Sequence, residues 1–110
     1  MDIQTRKEKE TWIVAVRGRI DALTAPEFEK KLQESAASGQ SIFLLNFSAL
    51  EYISSAGLRV ILSAAKKLKE KKGRISFCGL QAPVREVFDI SGLTSIFKFF
   101  DSETEALKEV

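Results

Sequence analysis

The sequence contains no histidine and only one cysteine, and both scarcities narrow the chemistry open to the chain. Without histidine there is no side chain that titrates near neutral pH to act as general base, no serine–histidine or cysteine–histidine pair, and no imidazole metal ligand. The single cysteine, Cys78, cannot form a disulfide within the chain, and its alternating apolar neighbours predict a buried thiol in a reducing compartment. We therefore expect no catalytic residue, no metal and no cofactor.

Strong net charge and long hydrophobic runs are also missing. The 17 basic and 15 acidic residues nearly balance, for a formal net charge of +2, so charge does not favour nucleic acid or an anionic membrane as a partner. The lysines between residues 66 and 72 fall on the polar face of a predicted helix, which favours a solvated face. No stretch approaches the ~18 apolar residues of a membrane span. The sequence predicts a cytoplasmic protein without nucleic-acid binding or membrane insertion.

The remaining composition predicts one α/β domain over residues 1–110. Of the 110 residues, 45% are hydrophobic, enough for a single modest core. Hydrophobic patterning predicts strands over residues 3–7, 11–17, 42–47, 74–78 and 96–100, and helices that begin near residues 24, 55, 82 and 102. The first two strands form a hairpin, and the later strands alternate with helices. We expect a mixed, mostly parallel sheet with an N-terminal antiparallel hairpin and about four helices.

The first helix has the sharpest boundary signal. Thr24 is followed by Pro26 in the first turn and by Glu27 three positions later, which is the pattern of a capping box. Leu23 and Phe28 are spaced to pack together as a hydrophobic staple. The sequence therefore predicts that Thr24 caps the helix and that Leu23 is covered.

The segment before the second helix, Tyr52-Ile53-Ser54-Ser55-Ala56-Gly57-Leu58, is where we expect the functional site. In such sheets, sites lie where the carboxyl ends of strands meet the amino ends of helices. Ser54 and Ser55 are both plausible caps, and the residues alone do not choose between them. The free amide groups of a first helical turn favour an anion, so the fold would tolerate a phosphate on Ser55.

Three segments in register resemble the STAS domain, in particular the bacterial anti-sigma factor antagonists. Residues 52–58 resemble the family's phosphorylation segment, Gly18-Arg19-Ile20-Asp21 is similar to its turn after the second strand, and residues 87–93 are similar to its third-helix segment. The resemblance spans nearly the whole chain and implies a STAS fold. It also implies a partner switch. The antagonist binds an anti-sigma factor with serine kinase activity, phosphorylation releases it, and a serine phosphatase resets it.

Matching glycine to glycine, the resemblance implies that Ser55 is the phosphorylated serine. Ser54 stands where sigma-regulating members usually carry aspartate, and Arg59 where many carry a second glycine. The residues that we expect to bind the partner are Asp21, Thr24, Tyr52, Ser54, Ser55, Ala56, Gly57 and Arg59. Asp21 has an equally good structural interpretation as the residue that orients its own turn, and Tyr52 fits either beneath the serine loop or at the rim of an interface.

Two other classes of function compete with the switch. The departure at Ser54 motivates the alternative of a non-phosphorylated STAS subunit that regulates a transport ATPase or a transporter. An enzyme or nucleotide-binding domain is disfavoured because the sequence has no GxxxxGK[ST] phosphate loop. We expect the protein to be a monomer or a weak dimer.

Overall fold

A computed structural model describes residues 1–109, which form one α/β domain with six strands and four α-helices. The strands are β1 (Asp2–Glu8), β2 (Thr11–Ile20), β3 (Ile42–Asn46), β4 (Leu50–Ile53), β5 (Arg74–Cys78) and β6 (Lys98–Phe100). The helices are α1 (Ala25–Ala37), α2 (Ser55–Glu70), α3 (Ala82–Ile90) and α4 (Glu103–Glu109), with a 3₁₀ turn at Leu93–Ser95. Val110, predicted from the sequence to be buried by the last helix, lies outside the described residues.

The sheet is mixed and mostly parallel, as predicted. β1 and β2 form an antiparallel hairpin in which Ile3 lies opposite Val16, and β2, β3, β5 and β6 run parallel in the order β1–β2–β3–β5–β6. β4 occupies a segment that the sequence predicts as loop. It pairs in parallel with the end of β2, with Ile20 opposite Ile53. The carboxyl ends of β2 and β4 therefore lie side by side, and each leads into a helix.

Aromatic side chains fill the main core between one face of the sheet and helices α1, α2 and α3. Phe77 on β5 is fully buried, with ring centroids 5.5 Å from Phe47 and 5.2 Å from each of Phe88, Phe97 and Phe99. Each such pair contributes about 0.5–1.5 kcal/mol beyond the area that it buries. These phenylalanines therefore belong to the main core or pack against it.

The opposite face of the sheet carries a second, smaller core beneath α4. It contains Ile13, Leu44, Cys78 and Ala106, all of them buried. Burial raises the pKa of the Cys78 thiol to about 11, so the thiol is protonated at neutral pH and a poor nucleophile. The predicted buried thiol is confirmed.

Glu103 attaches α4 to the sheet. Its carboxylate accepts hydrogen bonds from the Arg6 guanidinium on β1 and from the Asn46 amide on β3. The hydrogen bond from Arg6 is the main reason that the pKa of Glu103 lies below its ordinary value. A lowered pKa in the folded state means that ionised Glu103 stabilises the fold above its unfolded-state pKa, and that this stabilisation is lost on acidification.

We expect Glu103→Gln to lower the free energy of unfolding at pH 7 by about 1 kcal/mol, because the variant cannot form the ion pair with Arg6. The difference from wild type should shrink at pH 3, below the ordinary glutamate pKa of about 4.3, since the wild-type carboxylate is then losing its charge as well. Urea unfolding at both pH values measures this. Glu105→Gln, on the exposed side of the same helix, is the control, and a Glu103→Gln variant as stable as wild type at pH 7 would contradict the expectation.

The beginning of α1 differs from the prediction. Leu23 is 90% exposed, so it does not pack against Phe28 as a staple. Thr24 precedes the helix, but its side chain makes no cap hydrogen bond to α1. Its hydroxyl instead donates to the Arg19 carbonyl at 3.0 Å and accepts from the Asp21 N–H at 2.9 Å. The predicted capping box is wrong because the Thr24 hydroxyl is already bonded to Arg19 and Asp21. The predicted staple is wrong because the side chain of Leu23 is exposed to solvent.

Candidate functional site

The predicted site residues lie on two segments that meet beyond the carboxyl ends of β2 and β4. Arg19 lies opposite Tyr52 where the two strands pair, and the N–H of Ser54 donates to the carbonyl of Ile20 at 2.8 Å. The turn formed by residues 21–24 then leads into α1, and the serine segment leads into α2. The pairing of β4 with β2 thus brings together residues about thirty positions apart in sequence.

Ser54 is the N-cap of α2, and Ser55 is its first helical residue. The backbone of Ser54 is extended, and its hydroxyl accepts a hydrogen bond from the Gly57 N–H at 3.5 Å. Of the two alternatives that the sequence leaves open, Ser54 is therefore the cap. Ser55 is exposed, and because Ser54 supplies the cap, the helix does not require the Ser55 hydroxyl for its own stability.

Gly57 allows the first turn of α2 to lie directly against the strand ends. A Cβ atom at this position would lie 2.7 Å from Ile20 Cγ2 and 2.7 Å from Ile53 Cγ1, which is too close for any real side chain. Gly57 is itself buried. It therefore supports the site from beneath, whereas the other residues predicted to bind the partner reach the surface at least in part.

Tyr52, the third residue of β4, lies partly on the protein surface. Its side chain is 38% exposed, and the guanidinium carbon of Arg19 lies 4.3 Å from the centre of its ring. This distance is typical of a cation–π contact. Tyr52 therefore reaches the surface and is not packed beneath the serine loop, while its contact with a partner stays a prediction.

Asp21 organises the turn before α1. Its carboxylate accepts hydrogen bonds from the Leu23 N–H at 3.0 Å and the Thr24 N–H at 3.1 Å. The Thr24 hydroxyl lies 3.2 Å from the same carboxylate, which competes with the Arg19 carbonyl for its single proton. These hydrogen bonds, the backbone one from Thr24 foremost, lower the pKa of Asp21. The structural interpretation of Asp21 is confirmed, and its contact with a partner remains a prediction.

A shallow hollow of about 380 Å³ separates the beginnings of α1 and α2. The α1 side of the hollow is formed by Ala22, Ala25, Pro26 and Glu29, and the α2 side by Ala56, Arg59, Val60 and Ser63. Two of the residues predicted to bind a partner, Ala56 and Arg59, therefore share one surface with the turn that carries Leu23. The sequence analysis does not include Leu23 in the site, because the staple pattern predicts a covered side chain.

The structure also bears on metal binding and membrane insertion. Among residues 1–109, no three histidine, cysteine, aspartate or glutamate side chains converge where a metal ion could be held. None of the helices in this part of the chain is long and apolar enough to cross a membrane.

Comparison with known proteins assigns the family. The family model described as "STAS domain" matches residues 2–106. The chain belongs to the STAS domain family. Two curated relatives match this STAS domain over most of their length. BtrV of Bordetella bronchiseptica, which is named as an anti-sigma factor antagonist, is 39% identical over 94 residues, or 86% of this chain and 81% of BtrV. The anti-sigma F factor antagonist of Paenibacillus polymyxa is 30% identical over 113 residues, or 100% of this chain and 97% of the relative.

Solved structures show the same architecture. The anti-sigma factor antagonist SpoIIAA in its unphosphorylated form superposes on this STAS domain with a TM-score of 0.85 at 24% identity, covering 97% of this chain and 94% of SpoIIAA. The phosphorylated form of SpoIIAA from Bacillus gives a TM-score of 0.77 at 23% identity and covers 97% of both chains. The predicted STAS fold, with its mixed sheet and antiparallel hairpin, is confirmed.

Proposed function

We propose that this STAS domain is an anti-sigma factor antagonist in a partner switch and that phosphorylation of Ser55 releases its partner. The names of BtrV and of the Paenibacillus polymyxa protein support the class of function. The observation that carries the site assignment is the position of Ser55, which is exposed, is the first residue of α2 and is not needed as the helix cap.

The proposed partner is an anti-sigma factor that is also a serine kinase. In this scheme the chain is a substrate and does no chemistry of its own. The kinase transfers the γ-phosphoryl group of ATP to Ser55 Oγ, ADP leaves, and the hydroxyl proton passes to a base of the kinase. A serine phosphatase hydrolyses the phosphoserine and restores the binding form. The whole of residues 1–110 acts as one domain in this proposal.

Local electrostatics support Ser55 as a phosphate acceptor. A phosphoserine carries about −1.5 to −2 charges at neutral pH, and the amino end of a helix favours negative charge by about 0.3–1 kcal/mol. The first turn of α2 contains no acidic residue that would repel the phosphate. The folded protein can therefore accept the modification without rearrangement.

We expect the proposed anti-sigma factor kinase to add one phosphate from ATP to this protein, and we expect Ser55→Ala to abolish the transfer. Ser54→Ala is the matched control. It removes the helix cap at a cost of about 1 kcal/mol but leaves the acceptor hydroxyl in place, so it should still be phosphorylated. Intact-protein and peptide mass spectrometry read out both the number and the position of phosphates.

Two other outcomes would contradict the site assignment or the proposed switch. A phosphate added to the Ser55→Ala variant would show that the acceptor is another residue. If the protein is not phosphorylated, is recovered with a transport ATPase, and binds that ATPase equally well as Ser55→Asp, then the alternative of a constitutive regulatory subunit is correct and the switch is wrong.

A further inference from the structure

Strand β1 forms an edge of the sheet. Within the described part of the chain it pairs with β2 alone. It is seven residues long, whereas β6, the strand at the opposite edge, has three residues. An unpaired edge presents a row of backbone N–H and C=O groups that can pair with another extended chain. β1 therefore offers the longer surface for the addition of a strand.

The hairpin geometry identifies the backbone groups that point outward from β1. The two-residue turn at residues 9–10 joins the strands, and Glu8 lies opposite Thr11. Such a turn closes on a hydrogen-bonded pair, and along an antiparallel ladder these pairs alternate with non-hydrogen-bonded ones. Gly18 on β2 agrees with this assignment, because its N–H donates to Ala49 at 3.0 Å, on the side away from β1. The outward N–H and C=O groups of β1 therefore belong to its odd-numbered residues, Ile3, Thr5 and Lys7.

The charges on β1 complement those of a second copy in one antiparallel register. A two-fold axis through Gln4 places Asp2 of each copy opposite Arg6 of the other. Ile3 then lies opposite Thr5, and the outward groups of these two residues form hydrogen-bonded pairs. Asp2 and Arg6 meet in a non-hydrogen-bonded pair, where side chains lie closest together and opposite charges stabilise the pairing.

The neighbouring registers lack this complementarity. Moving the axis by one residue to Thr5 puts Asp2 opposite Glu8 of the second copy. Moving it by one more residue puts the two Arg6 side chains opposite each other. Like charges directly opposite destabilise a strand pair. The charge pattern of β1 therefore favours the register centred on Gln4.

Arg6 and Asp2 are both available to a second copy. The Arg6 side chain is 49% exposed, and it donates two of its five N–H groups to Glu103. Asp2 is exposed and lies opposite Arg17 on β2. In the register centred on Gln4, the Asp2 carboxylate would therefore stand between two guanidinium groups, one from each copy.

We propose that β1 is a self-association surface, on which a second copy of this chain adds its own β1 in the antiparallel register centred on Gln4. The two sheets then become one continuous sheet. The proposal does not depend on the role of Ser55, since no residue predicted to bind the antagonist's partner lies on β1. Each copy contributes a single strand, so the buried area is smaller than in most stable dimers, and the dimer dissociates at low protein concentration.

Cysteine crosslinking tests the register. Cα atoms in a non-hydrogen-bonded pair lie about 4.5 Å apart, which a disulfide can span. We expect Gln4→Cys to form a disulfide-linked dimer under mild oxidation, measured on a non-reducing gel. Thr5→Cys is the matched control. The two Thr5 positions are diagonal neighbours about 7–8 Å apart, so this variant should crosslink at least about tenfold more slowly. The native Cys78 is buried and does not compete.

A proline substitution tests the backbone pairing. Thr5→Pro removes an outward N–H group but leaves the hydrogen bonds between β1 and β2 in place. We expect it to raise the dissociation constant of the dimer at least about tenfold, because each dimer loses two hydrogen bonds. Thr5→Ala keeps the N–H group and should change the constant less than about threefold. Sedimentation equilibrium measures the constants, and circular dichroism melts check that both variants are folded.

Each step of the proposal can fail separately. Wild-type protein that stays monomeric up to about 1 mM would overturn it. A dimer that Thr5→Pro leaves unchanged would show that the two copies meet on another surface. Crosslinking of Thr5→Cys as fast as that of Gln4→Cys would show that the register is wrong. If Thr5→Pro does not fold, crosslinking decides, and the absence of a linked dimer of Gln4→Cys overturns the proposal.

Discussion

Protein phosphorylated at Ser55 is expected to bind its anti-sigma factor at least ~100-fold more weakly than unmodified protein. Burying the phosphate against a partner surface without a matching cation costs several kcal/mol, and about 2.8 kcal/mol is enough for a hundredfold change. Ser55→Asp introduces a single charge and should weaken binding less, while Ser55→Ala should bind nearly as well as wild type. Isothermal titration of the four forms tests this order of affinities.

Thermal melts of the phosphorylated and unmodified proteins distinguish a broken interface from a disrupted fold. The phosphate lies at the amino end of α2, where the helix dipole favours it. The melting temperature of the phosphorylated protein should therefore equal or slightly exceed that of the unmodified protein. A loss of affinity accompanied by a fall in melting temperature would show that phosphorylation acts by disrupting the fold, contrary to this mechanism.

Phe77→Ala is expected to have the largest effect on stability, lowering the free energy of unfolding by about 3–5 kcal/mol. Phe77 is fully buried and contacts four other rings, so the variant loses both buried area and the aromatic contacts. Native proteins typically have a total free energy of unfolding of about 5–15 kcal/mol. Phe77→Ala would therefore remove much of the stability of this domain. Urea unfolding measures the difference.

A milder substitution, Phe77→Leu, provides a second test of the contribution of Phe77 to stability. Phe77→Leu retains most of the buried apolar volume but none of the ring geometry, and it should cost clearly less than Phe77→Ala. If Phe77→Ala proves too unstable to purify, Phe77→Leu still measures the contribution of the aromatic contacts. A Phe77→Ala variant within about 1 kcal/mol of wild type would show that the core relaxes to fill the space.

The strands and helices with a strong hydrophobic periodicity can be predicted from the sequence, whereas β4 cannot. Only its first and last residues, Leu50 and Ile53, are buried, while Glu51 and Tyr52 between them are exposed. The pattern has neither the alternation of a half-buried strand nor the apolar run of a central one. β4 exists because the end of β2 offers a pairing edge, and that edge is a property of the tertiary structure.

Tertiary contacts also decide the details of the site. The helical spacing of α2 predicts an inward Leu62, yet Leu62 is 39% exposed and Val60 is buried, because α2 packs against α1 as well as against the sheet. Thr24 has the sequence signature of a cap, but its hydroxyl donates a hydrogen bond to the Arg19 carbonyl and makes none to α1. The choice of Ser54 as the cap involves a hydrogen bond to Ile20, far away in sequence. The local sequence pattern predicts where the site lies, and residues far away in sequence determine its geometry.

The close packing around Gly57 bears on how a kinase would reach Ser55. Functional residues often lie on loops, which are more mobile than the strands and helices that they connect. Here the first turn of α2 lies directly against Ile20 and Ile53, with no room for a Cβ atom at Gly57. If Ser55 is the acceptor, as we propose, we expect the kinase to bind this helix end as it stands in the folded protein. We then expect a complex that dissociates slowly to be phosphorylated more completely than one that dissociates quickly.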